Sequence, residues 1–529
     1  MAPLCFLLLV ASITLYTSHA TTPMCGCMSQ ASALTDFYHS SNPEGWTHSD
    51  GWGSTNCSIP WYGVACDGVS IISIGLPSNN ITGTLPSSWS SLVNMSQLSL
   101  SDNPKLSGAL PPEWSSMTQL TTLFIYHTNV SGTLPSSWSN MSSLLDVLLY
   151  LNPLLSGSLP PEWSSMSKLW RMQIYATNVS GTLPSTWSDM TSMVDLELYS
   201  NPRLSGSLPS GWASMSKLSS LYIFGTNVSG TLPSSWSNMS SLGDLLLLSN
   251  PLLSGTLPPE WSSMSQLSRL QIYATSVSGT LPSTWSNMTS MTNLQLYSNP
   301  MLSGTLPSEW SSMAKLSTLY IFATNVSGTL PSSWSNMTSM GDLQLFSTPL
   351  IGTLPPQWQS MSMVWRIFIF ETSISGALPS SWRSMSNLGD LLLFSNPLLS
   401  GTLPPEWSNM SQLSRLRIYG SNVSGTLPSS WGNMASMANL QLHSNPMLSG
   451  TLPSEWSKMS KLNTLYINGT NVSGTLPSLW SNMSSMMDLQ LHLNPMLSGS
   501  FPAEWSGMFQ VQTSLRPTCR ELCLPRGAI

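Results

Sequence analysis

The chain has 529 residues, 41% of them hydrophobic and only 7% charged, with a formal net charge of −6. An average domain carries about 25% charged residues. The few charges form no acidic or basic run, which excludes a clustered Lys/Arg footprint for nucleic acid and an electrostatic membrane anchor.

Residues 1–20 read as a signal peptide. Leu4 to Leu15 is a short apolar stretch, and Ser18-His19-Ala20 is a small-x-small cleavage site. The mature chain is expected to begin near Thr21, with Cys5 lost. No later segment reaches the ~20 apolar residues of a membrane span. The sequence before Ile529 has no hydrophobic tail of a glycolipid anchor. The expected location is extracellular, secreted or at a cell surface, with membrane contact only through an anchor not visible in the sequence.

Residues 21–75 read as an N-terminal cap, in which Ala33-Leu34-x-x-Phe37-Tyr38 has the spacing of a short amphipathic helix. Cys25, Cys27, Cys57 and Cys66 lie here. Cys519 and Cys523 lie in residues 513–529, read as a short C-terminal cap. Six mature cysteines confined to the two ends predict disulfide-locked caps. Zinc binding at Cys25-x-Cys27 or Cys519-x-x-x-Cys523 is the alternative, with no His close by in sequence.

Between the caps, residues 76–512 repeat. Leu-Pro-x-x-Trp recurs from Trp89 to Trp505, with Trp steps that alternate between 25 and 24 residues and slip once between Trp334 and Trp358. A period in the twenties predicts a solenoid of about 18 repeats. Leu169-x-x-Met172-x-Ile174 places alternate apolar side chains on one face of a short strand. Ser180-Gly181 and Leu183-Pro184 then turn the chain, and Val179, Leu183, Trp187 and Met190 pack inward from the returning arm. One repeat cannot bury this face, but a stack can. The ninth position alternates between Asn, as at Asn152 and Asn201, and Thr, as at Thr128 and Thr177. Both side chains donate and accept, so a buried polar ladder can be satisfied.

Strand positions three, five and seven are expected to point away from the core. Position seven forms a candidate binding stripe of Tyr126, Tyr150, Tyr175, Tyr199, Phe224, Tyr273, Tyr297, Phe322, Phe346, Phe370, Phe394 and Tyr419. Stacking that stabilises the sheet and a band for a partner are both compatible with it. Position three forms a candidate charged column that includes Asp146, Arg171, Asp195, Arg269, Arg366 and Arg415. It reads first as a local charge ladder and second as a recognition surface. Asn-x-Ser/Thr sequons recur, mostly off the strand, at Asn80, Asn94, Asn129, Asn140, Asn178, Asn227, Asn238, Asn287, Asn325, Asn336, Asn409, Asn422, Asn471 and Asn482, with two more at Asn56 and Asn468. Glycans at most of these positions would leave the outward strand face open.

No zinc-protease, nucleophile-elbow, phosphate-loop or dinucleotide motif is present, and the five mature histidines are scattered. No enzyme activity, cofactor or small-molecule substrate is expected.

The repeat resembles the leucine-rich repeat, and its Ser-Gly-x-Leu-Pro phrase resembles the plant-type subclass. This implies an α/β-type solenoid, a horseshoe or superhelix with a parallel β-sheet on its concave face. Cys57-Ser58-Ile59-Pro60-Trp61-Tyr62-Gly63-Val64-Ala65-Cys66 resembles the cap that precedes plant-type repeats, which implies a Cys57–Cys66 disulfide. Gly-Thr-Leu-Pro-x-x-Trp-Ser-x-Met with this cap resembles the promastigote surface antigen family of trypanosomatids and their kinetoplastid relatives. The implied function is a surface or secreted glycoprotein antigen that adheres to host or environmental macromolecules, with an extracellular protein or glycan as partner. The alternatives are a secreted inhibitor of a polysaccharide-degrading enzyme and a receptor ectodomain fragment.

Overall fold

The computed structural model describes residues 23–507. The chain divides into two compact units at Ser254/Gly255. Both are built from the same repeat.

Each repeat opens with a three-residue strand, such as Arg171–Gln173. In the first unit the strands from Ile71–Gly75 to Asp244–Leu246 pair in parallel, residue for residue, as in Asp146↔Arg171↔Asp195. In the second unit the strands from Arg269–Gln271 to Asp488–Gln490 do the same, as in Asp342↔Arg366↔Asp390↔Arg415. The apolar positions beneath them, such as Leu169, Met172 and Ile174, are fully buried.

The Ser-Gly segment does more than turn the chain. In Asn227–Thr231 it forms a second short strand, parallel to Arg203–Ser207 of the preceding repeat. The glycine inside it has a left-handed φ, +77° at Gly206, and a Cβ there would stand 2.7 Å from the Thr182 methyl. Only glycine accepts both conditions cheaply.

The returning arm is a five-residue 3-10 helix, such as Ser136–Asn140, entered through Pro135 at φ −70° and ψ 122°. The Pro135 carbonyl accepts the backbone N–H of Trp138 at 3.2 Å and the indole N–H of Trp163, one repeat later, at 3.0 Å. The Pro-x-x-Trp phrase therefore satisfies both lone pairs of one carbonyl and links neighbouring repeats. A Leu in place of Trp packs but makes no such bond. The buried indoles lie nearly parallel, with centroids 6.2 Å apart for Trp114–Trp138 and 6.4 Å for Trp285–Trp310.

The ninth-position ladder is asymmetric. Asn201 Oδ1 accepts the backbone N–H and the hydroxyl of Thr177 in the preceding repeat, at 3.0 and 2.7 Å. Its amide donates to the carbonyls of Ile174 and Leu198. Besides its donation to Asn201, the Thr177 hydroxyl bonds only within its own turn, accepting Val179 N–H at 3.3 Å.

The cap corrects one expectation. Cys57 pairs with Cys25 and Cys66 with Cys27, not with each other. Between Cys57 and Cys66 the chain turns around buried Trp61, and Cys66 enters the strand Val64–Cys66. The amino-terminal segment docks against that turn, with Met24 N–H on the Cys57 carbonyl at 2.7 Å. Its 3-10 helix Cys25–Gln30 presents one sulfur to each partner. Both cysteines of Cys25-x-Cys27 are thereby oxidised, which removes them as zinc ligands. The helix Ala31–Ser40 follows and buries Ala33, Leu34 and Phe37. Phe37 meets Trp89 of the first repeat edge-on at 4.8 Å. The signal peptide, Cys519, Cys523 and the C-terminal cap lie outside the described residues.

Candidate binding surface

Strand alternation sends positions three, five and seven to the face opposite the core. At position seven the rings form one stack in each unit. In the first, Tyr126, Tyr150, Tyr175, Tyr199 and Phe224 stand 4.1–4.5 Å apart. In the second, Tyr273, Tyr297, Phe322, Phe346, Phe370, Phe394, Tyr419 and His443 stand 4.0–4.6 Å apart. The spacing is slightly under the ~4.8 Å of neighbouring strands, so the sheet itself sets the stack. All twelve residues of the candidate stripe belong to these two stacks, and each is half-buried. Burial and the neighbouring phenols push the Tyr150 hydroxyl well above its usual range. Burial of His443 and the charge of His492 push the imidazole down.

The charged column resolves into ion pairs between adjacent repeats. Arg171 grips Asp146 in a two-point contact, its Nε donating at 2.8 Å and its Nη2 to the second oxygen. Both side chains are almost fully buried. In the second unit Arg366 lies between Asp342 at 2.9 Å and Asp390 at 3.6 Å, and Asp390 also holds Arg415. Arg366 and Arg415 stay partly exposed. Arg269 stands opposite Asn293 in the register of the same sheet.

Position five adds residues that the composition of positions three and seven does not reveal. Glu197 lies beside Asp195, and the amide of Gln173 donates to both carboxylates, at 3.1 and 3.0 Å. Burial raises the Asp195 carboxyl to about 6. Burial and the Asp195 charge raise that of Glu197 to about 8. Arg417 makes no ion pair among the described residues, and its Nε, shut from solvent, has no hydrogen-bond partner. The period-two alternation of the strand was the signal for both.

Two half-exposed tryptophans stand at position two. Trp170 faces the Arg171 guanidinium at 5.1 Å and Trp365 faces that of Arg366 at 4.1 Å. Gly341 beside Trp365 leaves room for the indole, since a Cβ there would come within 3.2 Å of its Nε1.

The sequon asparagines lie elsewhere, except Asn468, which stands half-buried at position seven beyond the strand Thr464–Tyr466. Asn129, Asn227, Asn325, Asn422 and Asn471 are exposed at the second strand, and Asn178 is half-exposed there. Asn94, Asn140, Asn238, Asn287, Asn336, Asn409 and Asn482 are exposed at or just beyond the 3-10 helices. Asn80 is exposed too, but its amide donates to the Gly45 carbonyl at 2.6 Å. On the returning side, shallow grooves of about 640 Å3 recur between successive Leu-Pro turns, as between Pro282 and Pro307. Their recurrence between Pro135 and Pro160 marks them as a product of repeat geometry.

No protein-family model matches the sequence. Solved structures do. The Arabidopsis receptor kinase HAESA, in complex with the peptide hormone IDA and the co-receptor SERK1, is 26% identical. That match covers 91% of this chain and 80% of the solved HAESA chain, with a TM-score of 0.77. The plant peptide hormone receptor RGFR1, in complex with RGF2, is 26% identical over 85% of this chain and 82% of its own, with a TM-score of 0.75. The fold is a leucine-rich-repeat solenoid. The LRR ectodomain of GASSHO1/SCHENGEN3 from Arabidopsis thaliana, in complex with CASPARIAN STRIP INTEGRITY FACTOR 2, is 25% identical with a TM-score of 0.74. It covers 91% of this chain, which spans 60% of that ectodomain. An LRR protein of Leptospira interrogans, 20% identical over 80% of this chain and 90% of its own with a TM-score of 0.51, shares the fold.

Proposed function

We propose that this LRR protein is an extracellular recognition protein, a secreted or cell-surface glycoprotein antigen that binds a protein or glycan along the outward face of its main strands. The observation that carries the reading is the pair of aromatic stacks. Each is a continuous apolar band on a half-exposed surface, bordered by Arg–Asp pairs and by Trp170 or Trp365. Aromatic and Arg side chains dominate protein–protein hot spots. Similarity to receptors solved with peptide hormones supports an extended peptide segment as the ligand. The resemblance to promastigote surface antigens supports an adhesive role on host or environmental macromolecules.

The test is a titration of secreted residues 21–529 on host cells and serum proteins. A variant with Tyr175, Tyr199, Tyr273 and Tyr297 changed to Ser runs alongside, after its fold is verified. Saturable binding by the parent, lost in the variant, supports the stacks as the binding surface. Equal binding by both moves recognition to another face. Binding by neither leaves a passive coat. Tight stoichiometric capture of a polysaccharide-degrading enzyme replaces the adhesion reading with the inhibitor reading.

A further inference from the structure

In six of the eight Asn-Pro repeats among the described residues, the residue after the Pro leaves an apolar side chain in water; the other two carry Lys105 and Arg203 there. Leu154 is 51% exposed, Leu252 56%, Met301 63%, Leu398 56%, Met447 58% and Met496 57%. Each directly follows an Asn-Pro. The residues after the first five, Leu155, Leu253, Leu302, Leu399 and Leu448, are fully buried. Alternation therefore turns the preceding side chain outward. One exposed Leu or Met needs no explanation. Six of them at one register do.

The intervening Thr-type repeat carries Asn at the equivalent position. Asn178 N–H donates to the Leu155 carbonyl at 2.8 Å, Asn325 to Leu302 at 2.8 Å, Asn422 to Leu399 at 2.9 Å, and Asn471 to Leu448 at 2.8 Å. Each accepting residue is the one directly after an exposed Leu or Met. The register, fixed by pairs such as Ser158↔Ser180 and Thr305↔Ser327, sets each Asn opposite the Ser two residues past the bare side chain. The bare side chain is therefore its diagonal neighbour on the same face, roughly 7–8 Å away. All four open an Asn-Val-Ser sequon.

The irregular repeat supplies an internal comparison. Thr348-Pro349 runs directly into buried Leu350, so the bare residue is missing at that register, and Ile351, 50% exposed and paired with Ser373, is turned out one position later. The next repeat carries Ser373 in place of the sequon Asn. The correspondence is incomplete: Asn129 and Asn227 follow repeats with Lys105 and Arg203 in the row, and Ser276 follows the repeat of Leu252.

We infer that N-linked glycans on Asn178, Asn325, Asn422 and Asn471 lie over Leu154, Met301, Leu398 and Met447 and shield them from solvent. The C–H face of a sugar ring gives an apolar side chain a cover, while the hydroxyls on its rim stay hydrated. This edge of the repeat is then a sugar-covered surface closed to protein partners. The inference stands independently of what the aromatic stacks bind.

The test is methionine oxidation mapped by peptide mass spectrometry, on the full chain secreted from a eukaryotic host. Oxidation follows exposure. Met301 and Met447 are expected to oxidise several-fold more slowly in the glycosylated protein than after enzymatic removal of the glycans. Met363 and Met496, exposed without an adjacent sequon in the next repeat, are expected not to change. Asn325→Gln should release Met301 alone and Asn471→Gln Met447 alone. If either variant fails to fold, the enzymatic comparison on the parent still decides. Unoccupied sequons at Asn325 and Asn471, or equal Met301 and Met447 rates with and without glycan, overturn the inference.

Discussion

Asn152 Oδ1 accepts two hydrogen bonds from Thr128 of the preceding repeat, from its backbone N–H at 3.0 Å and from its hydroxyl at 2.7 Å. The Asn152 amide donates to the Ile125 and Leu149 carbonyls. One buried amide thus closes the turns of two repeats at once, in a fixed order, Thr-type and then Asn-type. This gives the two-repeat period of the sequence a physical cause. Asn152→Ala strips four buried groups of a partner, each costing about 1–3 kcal/mol. Thr128→Ala removes one hydroxyl and leaves the backbone bond, for about 1 kcal/mol. Hydrogen exchange is the right probe, because repeat proteins open locally. Amides around Leu123–Thr128 and Leu149–Asn152 are expected to lose protection strongly in Asn152→Ala and weakly in Thr128→Ala. Equal effects would mean that the ladder is not cooperative.

The cap disulfides carry a prediction about pairing and one about stability. Non-reducing digestion should release Cys25–Cys57 and Cys27–Cys66 peptides and no Cys57–Cys66 peptide. Cys27→Ser with Cys66→Ser is expected to weaken the cap by about 2–5 kcal/mol. The loss should appear as local exchange in residues 31–40 and around Trp89, against which Phe37 packs. The central repeats should be unaffected.

The repeat architecture was legible because its determinants are local and recur. Trp at alternating 25- and 24-residue steps, with Leu and Met at strand spacing, leaves few other folds. The second strand was not legible. Its glycine sits at left-handed φ, which in isolation reads as a turn, and the pairing of Asn227–Thr231 exists only because the previous repeat supplies an edge. The disulfide-locked cap was legible from the even cysteine count, but its pairing was not: the spacing of Cys57 and Cys66 describes a loop, while the partner of each comes from a segment that docks in three dimensions. The aromatic stacks followed from position seven alone. Glu197 and Arg417 did not stand out because position five carries no uniform chemistry along the chain.

Glu197 sets a pH dependence. Its folded-state carboxyl, raised to about 8, holds a proton that an unfolded glutamate has lost above about 4.3. Between those values the folded state binds more protons, so stability falls as pH rises through this window. Asp195 adds to the same trend up to about 6. Glu197→Gln keeps an amide where the protonated acid was and removes the penalty. It is expected to leave stability near pH 5 almost unchanged and to raise it near pH 9 by on the order of 1 kcal/mol or more. Denaturation at both pH values checks this. A gain of equal size at pH 5 would show that the effect is packing rather than ionisation.

Arg366 and Arg417 separate the structural from the recognition role of the charged face. Arg366 bridges Asp342 and Asp390, and Asp342 is buried with Tyr320 and Gln344 as its other partners. Arg366→Ala leaves that carboxylate short of a cation and is expected to cost about 1–3 kcal/mol. Arg417 has no carboxylate and no hydrogen bond to lose. Arg417→Ala is expected to change stability by no more than about 0.5 kcal/mol. If the outward face binds an anionic group of its partner, Arg417→Ala instead weakens that binding several-fold. The parent's affinity then falls with added salt, and the variant's falls less steeply. A stability loss in Arg417→Ala as large as that in Arg366→Ala, with binding unchanged, would assign Arg417 to the fold and leave the aromatic stack to recognise the partner alone.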